Sequence, residues 1–319
     1  MRLTKAEKRL RLKRAWFEAG TAAFERVCPG ARSRKFPELD SPYICPICTR
    51  AFTSEALIDN TLTLEDAPPK SYGGKPIALT CKGCNNQLGS ALDGPLSTLD
   101  SAAMSPCRLG MGGVEVQAYQ EIRDGGRSFA IPQNQNDPKK VARFFEGLDA
   151  TPGPSGSLQM TYKHDVEERR RADLAWLKTA YIVTFAAWGY FYALSPVMKI
   201  VRAQILNPDQ TLIPKFKIEK RSSPRDMRFL MLVRTPAEIG GIAVGMGQYI
   251  VFLPVMTGDM TYYERLEPIL SRNEKTREKI KLFGDITYPW PTAPRHELDI
   301  RPLDSRLVLP SSGEIRALT

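Results

Sequence analysis

The longest apolar run of the chain lies in its second half, where residues 179–198 contain no charged side chain. A charged stretch precedes it, and together they predict one long helix over about 166–194. A second helix is predicted to begin at Ser195-Pro196, as an N-cap and first-turn pair. Twenty apolar residues could also cross a bilayer. Gly189 and Pro196 interrupt the run and no second span accompanies it, so a buried helical pair is the favoured interpretation.

Strand-like patterns are short and scattered. Residues 61–64 and 77–80 each predict a strand, and a helix is predicted from Asn85 to about residue 96. Residues 114–123 and 127–131 predict a hairpin. Further strands are predicted over 157–162, 229–233, 241–244 and 248–256, helices over 137–145 and 266–281, and loops or linkers over 97–112, 151–156 and beyond 289. The pattern as a whole predicts an α+β protein.

Basic residues crowd the predicted first helix, over residues 4–26, which opens with the capping box of Thr4 and Glu7. Its basic positions are Lys5, Lys8, Arg9, Arg11, Lys13 and Arg14. Such a row would release counterions from DNA, giving a sequence-independent affinity. Lys5 and Arg9 are the predicted phosphate contacts. The alternative is a solvated helix that only packs its aromatic residues on the rest of the protein.

The distribution of charge along the chain favours the interpretation of this helix as a phosphate-contacting element. The chain has 319 residues and a net charge of +10. Residues 1–35 alone hold eleven Lys or Arg and three Glu, a net charge of +8. The length predicts two domains, and the basic excess favours a polyanionic partner.

Four of the six cysteines form two C-x-x-C pairs. Four thiolates in two such pairs can close a tetrahedral zinc site. No long apolar segment follows the N-terminal charges, so no signal peptide is predicted, and zinc is favoured over disulfides in a reducing cytoplasm. The predicted zinc ligands are Cys45, Cys48, Cys81 and Cys84; Cys28 and Cys107 are expected to be free thiols.

Oxygen ligands lie between and beside the cysteine pairs. Glu65 and Asp66 follow the first predicted strand, and Asn85 follows Cys84 directly. Two strands and a helix would bring these three side chains together. Carboxylate and amide oxygens suit a hard divalent ion such as magnesium or manganese.

A specific order of motifs connects these features. After Glu65-Asp66 come Pro68-Pro69-Lys70-Ser71 and Gly73-Gly74, and the segment ends in C-K-G-C-N at Asn85. Residues of about 43–97 resemble the zinc-stabilised branch of the HNH, or ββα-metal, nuclease family. The resemblance implies a ββα-metal module with structural cysteines, in which Glu65 and Asn85 hold the catalytic ion and the residue after Glu65 activates water. A mixed α/β domain over about 113–319 would follow it.

The chain departs from the family pattern at the base. Asp66 stands where the family has a histidine, and Pro76 or Ile77 stands where it has a middle asparagine. A reference Asp has a pKa of about 3.9 against about 6.5 for His, so it is the weaker base at neutral pH. Three alternatives stay open: Asp66 is the base, the enzyme is slow, or the module is an inactive nuclease that binds. His164 or His296 could supply a base, but isolated, satisfied histidines are the commoner case.

The resemblance implies metal-dependent hydrolysis of phosphodiester bonds, with DNA as the expected nucleic acid and phage defence as a role by analogy. Lys70 and the amides of Gly73 and Gly74 would touch the phosphate. The alternative function is a catalytically inactive, HNH-derived nucleic-acid-binding or regulatory protein. A membrane-associated effector is a third, weaker hypothesis. A protein partner or a second copy could bind through the C-terminal domain.

Overall fold

The computed structural model describes residues 3–28, 42–97, 118–119, 126–132, 149–152, 157–163, 166–220, 223–224, 226–234, 240–256, 261–272, 286–294 and 296. The chain divides into two compact units. The first combines Met1–Ser90 with Leu174–Thr319, and the second is Ala91–Asp173. Helices alternate with small antiparallel sheets, which confirms the prediction of a mixed α and β protein.

The helices of these residues, α1 to α6, span Lys5–Val27, Lys82–Leu88, Val166–Trp188, Tyr190–Ala193, Met198–Leu206 and Tyr262–Leu270. The strands, β1 to β13, span Tyr43–Ile44, Ala51–Phe52, Leu62–Ala67, Lys75–Cys81, Ala118–Tyr119, Gly126–Pro132, Asp149–Pro152, Ser157–Lys163, Lys217–Glu219, Arg228–Val233, Gly241–Met246, Tyr249–Leu253 and Ile286–Tyr288.

Helix α1 begins as its sequence predicts. The Thr4 side chain accepts from the Glu7 amide at 3.2 Å, and Glu7 Oε2 accepts from the Thr4 amide at 2.7 Å. The buried face carries Phe17, which stacks on Tyr43 at 5.7 Å between ring centroids, and Gly20, where a Cβ would lie 2.3 Å from the same Tyr43 ring. Gly20 therefore lets the helix approach the first cysteine pair closely.

The ββα segment is close to its predicted form, with two shifts in its boundaries. Strand β3 pairs with β4 in antiparallel register and continues to Ala67, so Glu65 and Asp66 lie within the strand rather than after it. Helix α2 begins at Lys82, three residues before the predicted Asn85, because the Cys81 sulfur caps its first turn.

Helix α3 is the centre of the first unit. Every residue over 174–190 is buried, as expected of a helix that is apolar on all sides. The predicted helix over 166–194 is interrupted at Gly189, whose φ of 69° is easy only for glycine. Ser195 was predicted to cap the next helix, but α5 begins at Met198 with no side-chain cap. Within the described part of the chain, no helix combines the length and apolarity that a bilayer crossing requires.

A five-stranded antiparallel sheet covers the C-terminal part of the first unit, in the order β13-β10-β11-β12-β9. The β11–β12 turn lies at residues 247–248, with φ 60° at Gly247, and β11 continues two residues beyond its predicted end at 244. Helix α6 ends at Leu270, and the last part of its predicted extent, 273–281, lies outside the described residues. The segment beyond 289 was predicted to be a loop or linker, yet His296 within it is buried.

The second unit contains a four-stranded antiparallel sheet in the order β5-β6-β8-β7. Strands β5 and β6 confirm the predicted hairpin, and β8 confirms the predicted strand at 157–162. Strand β7 includes Thr151 and Pro152, which were predicted to be loop; their pairing with β8 overrides the local turn signals. The predicted helix at 137–145, residues 98–112 with Cys107, and His164 lie outside the described residues.

Candidate functional site

The four predicted zinc ligands converge. The sulfurs of Cys45, Cys48, Cys81 and Cys84 all lie within 4.8 Å of one another, and those of Cys48 and Cys81 are 3.6 Å apart. A tetrahedral zinc site with Zn–S bonds of about 2.3 Å has sulfurs about 3.8 Å apart. The cluster therefore fits a zinc ion in both ligand type and spacing.

Two local turns produce this convergence. In the first, the Cys45 amide donates to Arg50 O and the Thr49 amide to Cys45 O, both at 2.9 Å. In the second, Cys81 ends β4 and its sulfur accepts from the Cys84 amide at 3.4 Å. The Cys81 amide also donates to the Cys45 sulfur at 3.4 Å, which joins the two turns.

Arg50 is a component of this cluster that the sequence analysis missed. Its Nε donates to the Cys48 sulfur at 3.3 Å and its Nη2 to the Cys81 sulfur at 3.4 Å. Hydrogen bonds from the other three thiols, together with Arg50, lower the pKa of the Cys48 thiol, whereas burial raises the pKa of Cys45. Four thiolates around one divalent ion carry a net charge of −2, and the guanidinium offsets part of it.

Glu65 is engaged by protein groups on both carboxylate oxygens. Lys178 Nζ lies 2.9 Å from Oε1, and the Thr80 hydroxyl donates to Oε2 at 2.9 Å. The exposed fractions of the Lys178 and Glu65 side chains are 1% and 3%. Lys178 comes from α3, so a buried ion pair joins the central helix to β3.

A divalent ion at Glu65 does not fit this arrangement. At the usual 2.0–2.2 Å from Oε1 it would lie at most about 5 Å from the Lys178 ammonium. At an effective dielectric constant of about 20, that repulsion is on the order of 7 kcal/mol. The residues as placed therefore hold an ammonium ion where the sequence predicted a magnesium or manganese ion.

Asn85 lies against β3, the strand that carries Glu65. Its Nδ2 donates to Thr63 Oγ1 at 2.9 Å and to Leu64 O at 3.0 Å. These bonds fix the first turn of α2 against β3. Glu65 and Asn85 both make structural bonds: Glu65 with Lys178 and Thr80, and Asn85 with β3.

Asp66 differs from Glu65 in the interactions of its carboxylate. It is half-buried, and none of the described residues forms a hydrogen bond with its carboxylate. Burial raises the pKa of Asp66, and the Glu65 charge adds to that increase, whereas the positive charges of Lys70 and Arg9 oppose it. Lys70 and Arg9 are both exposed. Two of the predicted basic contacts, from separate segments, therefore act electrostatically on the same carboxylate.

The backbone conformation of the loop after β3 accounts for its two glycines. The Gly73 amide donates to Lys70 O at 3.0 Å and the Gly74 amide to Pro69 O at 3.4 Å, so both predicted phosphate-binding amides are engaged inside the loop. Gly73 has a φ of 72°, and a Cβ on Gly74 would lie 1.5 Å from Pro68 O.

Helix α1 presents most of its basic residues to solvent. The exposed ones are Lys5, Lys8, Arg9, Arg11 and Arg14. Lys13 was grouped with them but is buried, where its ammonium donates to Asn60 Oδ1 and Leu62 O, both at 2.9 Å. Burial lowers the pKa of Lys13. Lys13 therefore anchors the helix, while its neighbours form an exposed basic row.

His296 has a structural environment. Its Nδ1 lies 3.0 Å from Phe185 O, and its ring packs against Phe185 at 4.8 Å and Tyr190 at 6.3 Å between centroids. Burial lowers the pKa of His296 to about 4. The Nδ1 atom therefore has a backbone partner, whereas the buried Nε2 atom forms no hydrogen bond with any described residue.

Lys178 is the second important residue that the sequence analysis missed. It is the only charge in residues 174–198. A single lysine inside an apolar run signals a buried partner of opposite charge, because an unpaired buried ammonium is strongly unfavourable. That signal predicts a partner without identifying Glu65.

Searches with protein-family profiles, among curated proteins and among solved structures found no match to the chain.

Proposed function

We propose that this protein binds nucleic acid, with DNA as the expected partner, through a zinc-stabilised module and the basic face of α1. The supporting observation is that Lys5, Lys8, Arg9, Arg11 and Arg14 of α1 are all exposed, and that Arg9 and Lys70 both act electrostatically on Asp66. In this proposal the cysteine cluster holds structural zinc and the segment around Glu65 is an inactive relative of an HNH module.

Helix α1, which carries the basic residues, is anchored to the rest of the protein, which favours binding over a merely solvated helix. Lys13 bonds to Asn60 and Leu62 on one side of α1, and Phe17 stacks on Tyr43 further along it. Arg26, in the last turn, donates to His296 O at 3.4 Å. A fixed row loses less conformational entropy on meeting a phosphate backbone than a flexible tail does.

Charge also favours this function over others. The chain is at net +10, and the N-terminal 35 residues account for a net +8 of it. Each neutralised phosphate releases counterions, which predicts a slope of log K against log salt of about −0.9 per phosphate for duplex DNA.

The test is a binding titration of full-length, zinc-loaded protein by fluorescence anisotropy, using unrelated duplex DNA, single-stranded DNA and RNA at several salt concentrations. Replacing Lys5, Lys8 and Arg11 with Gln should weaken binding to all sequences alike. The salt slope should flatten by about 0.9 for each phosphate that the variant no longer neutralises.

In a matched control, Gln replaces three other exposed cations, which are Lys199, Lys215 and Arg272. It changes the net charge equally and should leave the slope at the wild-type value. Equal losses in both triple variants would mean that only net charge matters. No binding by the wild type at low salt would reject the proposal.

A second candidate, phosphodiester hydrolysis, is favoured by Asp66 alone. A carboxylate whose pKa is raised, with Arg9 and Lys70 acting on it, is placed to accept a proton from water while the cations neutralise a phosphate. If this occurs, Asp66→Asn should slow cleavage on the order of 10²–10⁴-fold, and Asp66→His should preserve or increase it. Assays with magnesium and manganese on DNA and RNA decide this. No cleavage by either form removes the candidate.

A further inference from the structure

The Lys178–Glu65 pair lies at the carboxylate where the sequence predicted a magnesium or manganese ion. Glu65 Oε1 faces the ammonium at 2.9 Å, and Oε2 accepts from Thr80. Thr63 and Thr80 are opposite one another in the β3–β4 pairing, and Asn85 donates to Thr63. Four oxygen- or amide-bearing side chains are thus grouped on one hairpin face, with one cation supplied from α3.

We infer that the Lys178 ammonium is the resident cation of this group of side chains, and that removing it uncovers a divalent-cation site built on Glu65. A carboxylate that is 3% exposed needs a positive partner, because an unpaired charge in that position is strongly unfavourable. When the lysine side chain is shortened, the space and the uncompensated charge remain. A hard ion with oxygen ligands satisfies both.

The competing explanation is that the pair is only a structural link between α3 and β3. The two explanations differ in what happens when the lysine is shortened. A structural link predicts a destabilised protein that is indifferent to metal. A latent cation site predicts a protein that binds a divalent ion at Glu65.

The experiment measures Mn²⁺ binding to full-length, zinc-loaded protein by the decrease of the free-ion EPR signal. Lys178→Ala should bind one Mn²⁺ more than the wild type, and its melting temperature should rise with Mn²⁺ concentration. Lys178→Met keeps the space filled with apolar atoms and should show neither effect. Adding Glu65→Gln to Lys178→Ala should abolish the extra ion.

Equal Mn²⁺ binding by Lys178→Ala with and without Glu65→Gln would overturn the inference. So would wild-type protein that binds Mn²⁺ through Glu65. If Lys178→Ala does not fold in the absence of metal, recovery of the fold on addition of Mn²⁺ supports the proposed cation site. Failure to recover the fold rejects it. The Glu65→Gln/Lys178→Met protein carries neither charge and shows whether the surrounding packing tolerates the substitutions.

Discussion

The indole of Trp176 on α3 stacks on the Tyr249 ring of β12, with centroids 4.7 Å apart. Its edge meets Tyr72, from the loop after β3, at 4.9 Å. Two residues further along α3, Lys178 pairs with Glu65, and Tyr181 donates to Pro46 O at 2.6 Å. One helix therefore touches the C-terminal sheet, the loop, the hairpin and the first cysteine turn.

This relationship predicts that the ββα module does not fold alone. A fragment of residues 1–97 with zinc would leave Tyr43 and Ile44 without Tyr190 of α4, and the buried Glu65 without Lys178 of α3. This exposes apolar surface and an unpaired carboxylate. We expect poor amide dispersion in its NMR spectrum and no cooperative melting. The full chain is the control. A fragment that melts cooperatively would show that the module folds without α3.

The cysteine cluster predicts one tightly bound zinc per chain. Cys81→Ser should lose the metal and unfold the segment around it, because a ligand is removed and site formation is coupled to folding. Elemental analysis and circular dichroism measure the two losses.

The matched control is Cys28→Ser, since Cys28 ends α1 and is not part of the cluster. It should keep the zinc content and melting temperature of the wild type. Zinc-free wild type, purified without chelator, would contradict the prediction.

Local signals predicted the elements whose stability is local. The Thr4–Glu7 capping box and the C-x-x-C turns each depend on neighbours within a few residues, and each is present. Strand β3 also forms, although its burial does not alternate strictly and its pairing with β4 shifts register between Glu65 and Asp66. Spacing alone predicted the four-sulfur cluster, because C-x-x-C geometry leaves few alternatives.

Long-range partners could not be predicted in this way. The charge of Lys13 indicated a solvent-facing residue, but Asn60 and Leu62 draw it inward across 47 and 49 positions. Lys178 and Glu65 are separated by more than a hundred residues, and no local pattern pairs them. The same limit applies to His296, which packs on Phe185 although its own segment is rich in proline.

The two adjacent loop glycines should respond differently to alanine. At Gly73 the surroundings are open and only the φ of 72° opposes a side chain, so Gly73→Ala should cost about 1 kcal/mol. At Gly74 the new Cβ would overlap Pro68 O, so the loop must move, at a cost of about 2 kcal/mol or more. Urea titrations of both variants measure the difference. A Gly73→Ala variant that is the less stable of the two would contradict this description of the loop.

His296 predicts a loss of stability in mild acid. Burial lowers its pKa to about 4 in the folded protein, against an ordinary value of 6.5. The unfolded chain therefore takes up the proton first, and stability falls as the pH drops from 6.5 towards 4, by up to about 3 kcal/mol at about 1.4 kcal/mol per pKa unit.

The comparison variant is His296→Asn, which tolerates the φ of 52° and can still donate to Phe185 O. Carboxylates titrate in both proteins, so the difference between their stability curves isolates the histidine. Parallel curves from pH 7 to pH 4 would show that His296 is accessible to protons in the folded state.

Asp66 predicts a pH dependence of nucleic-acid binding. Its carboxylate opposes an approaching phosphate, while Arg9 and Lys70 beside it attract one. Because burial raises the pKa of Asp66, protonation removes that repulsion at a pH above the ordinary value of 3.8, and affinity should increase as the pH falls through the raised pKa.

Asp66→Asn should bind DNA several-fold more tightly than the wild type at neutral pH and low salt, and should lose this pH response. Anisotropy titrations across pH, with Asp209→Asn as an exposed control outside the ββα segment, measure both effects. If Asp66→Asn binds no more tightly than the Asp209 variant, the nucleic acid does not pass over Asp66, and the binding surface is confined to α1.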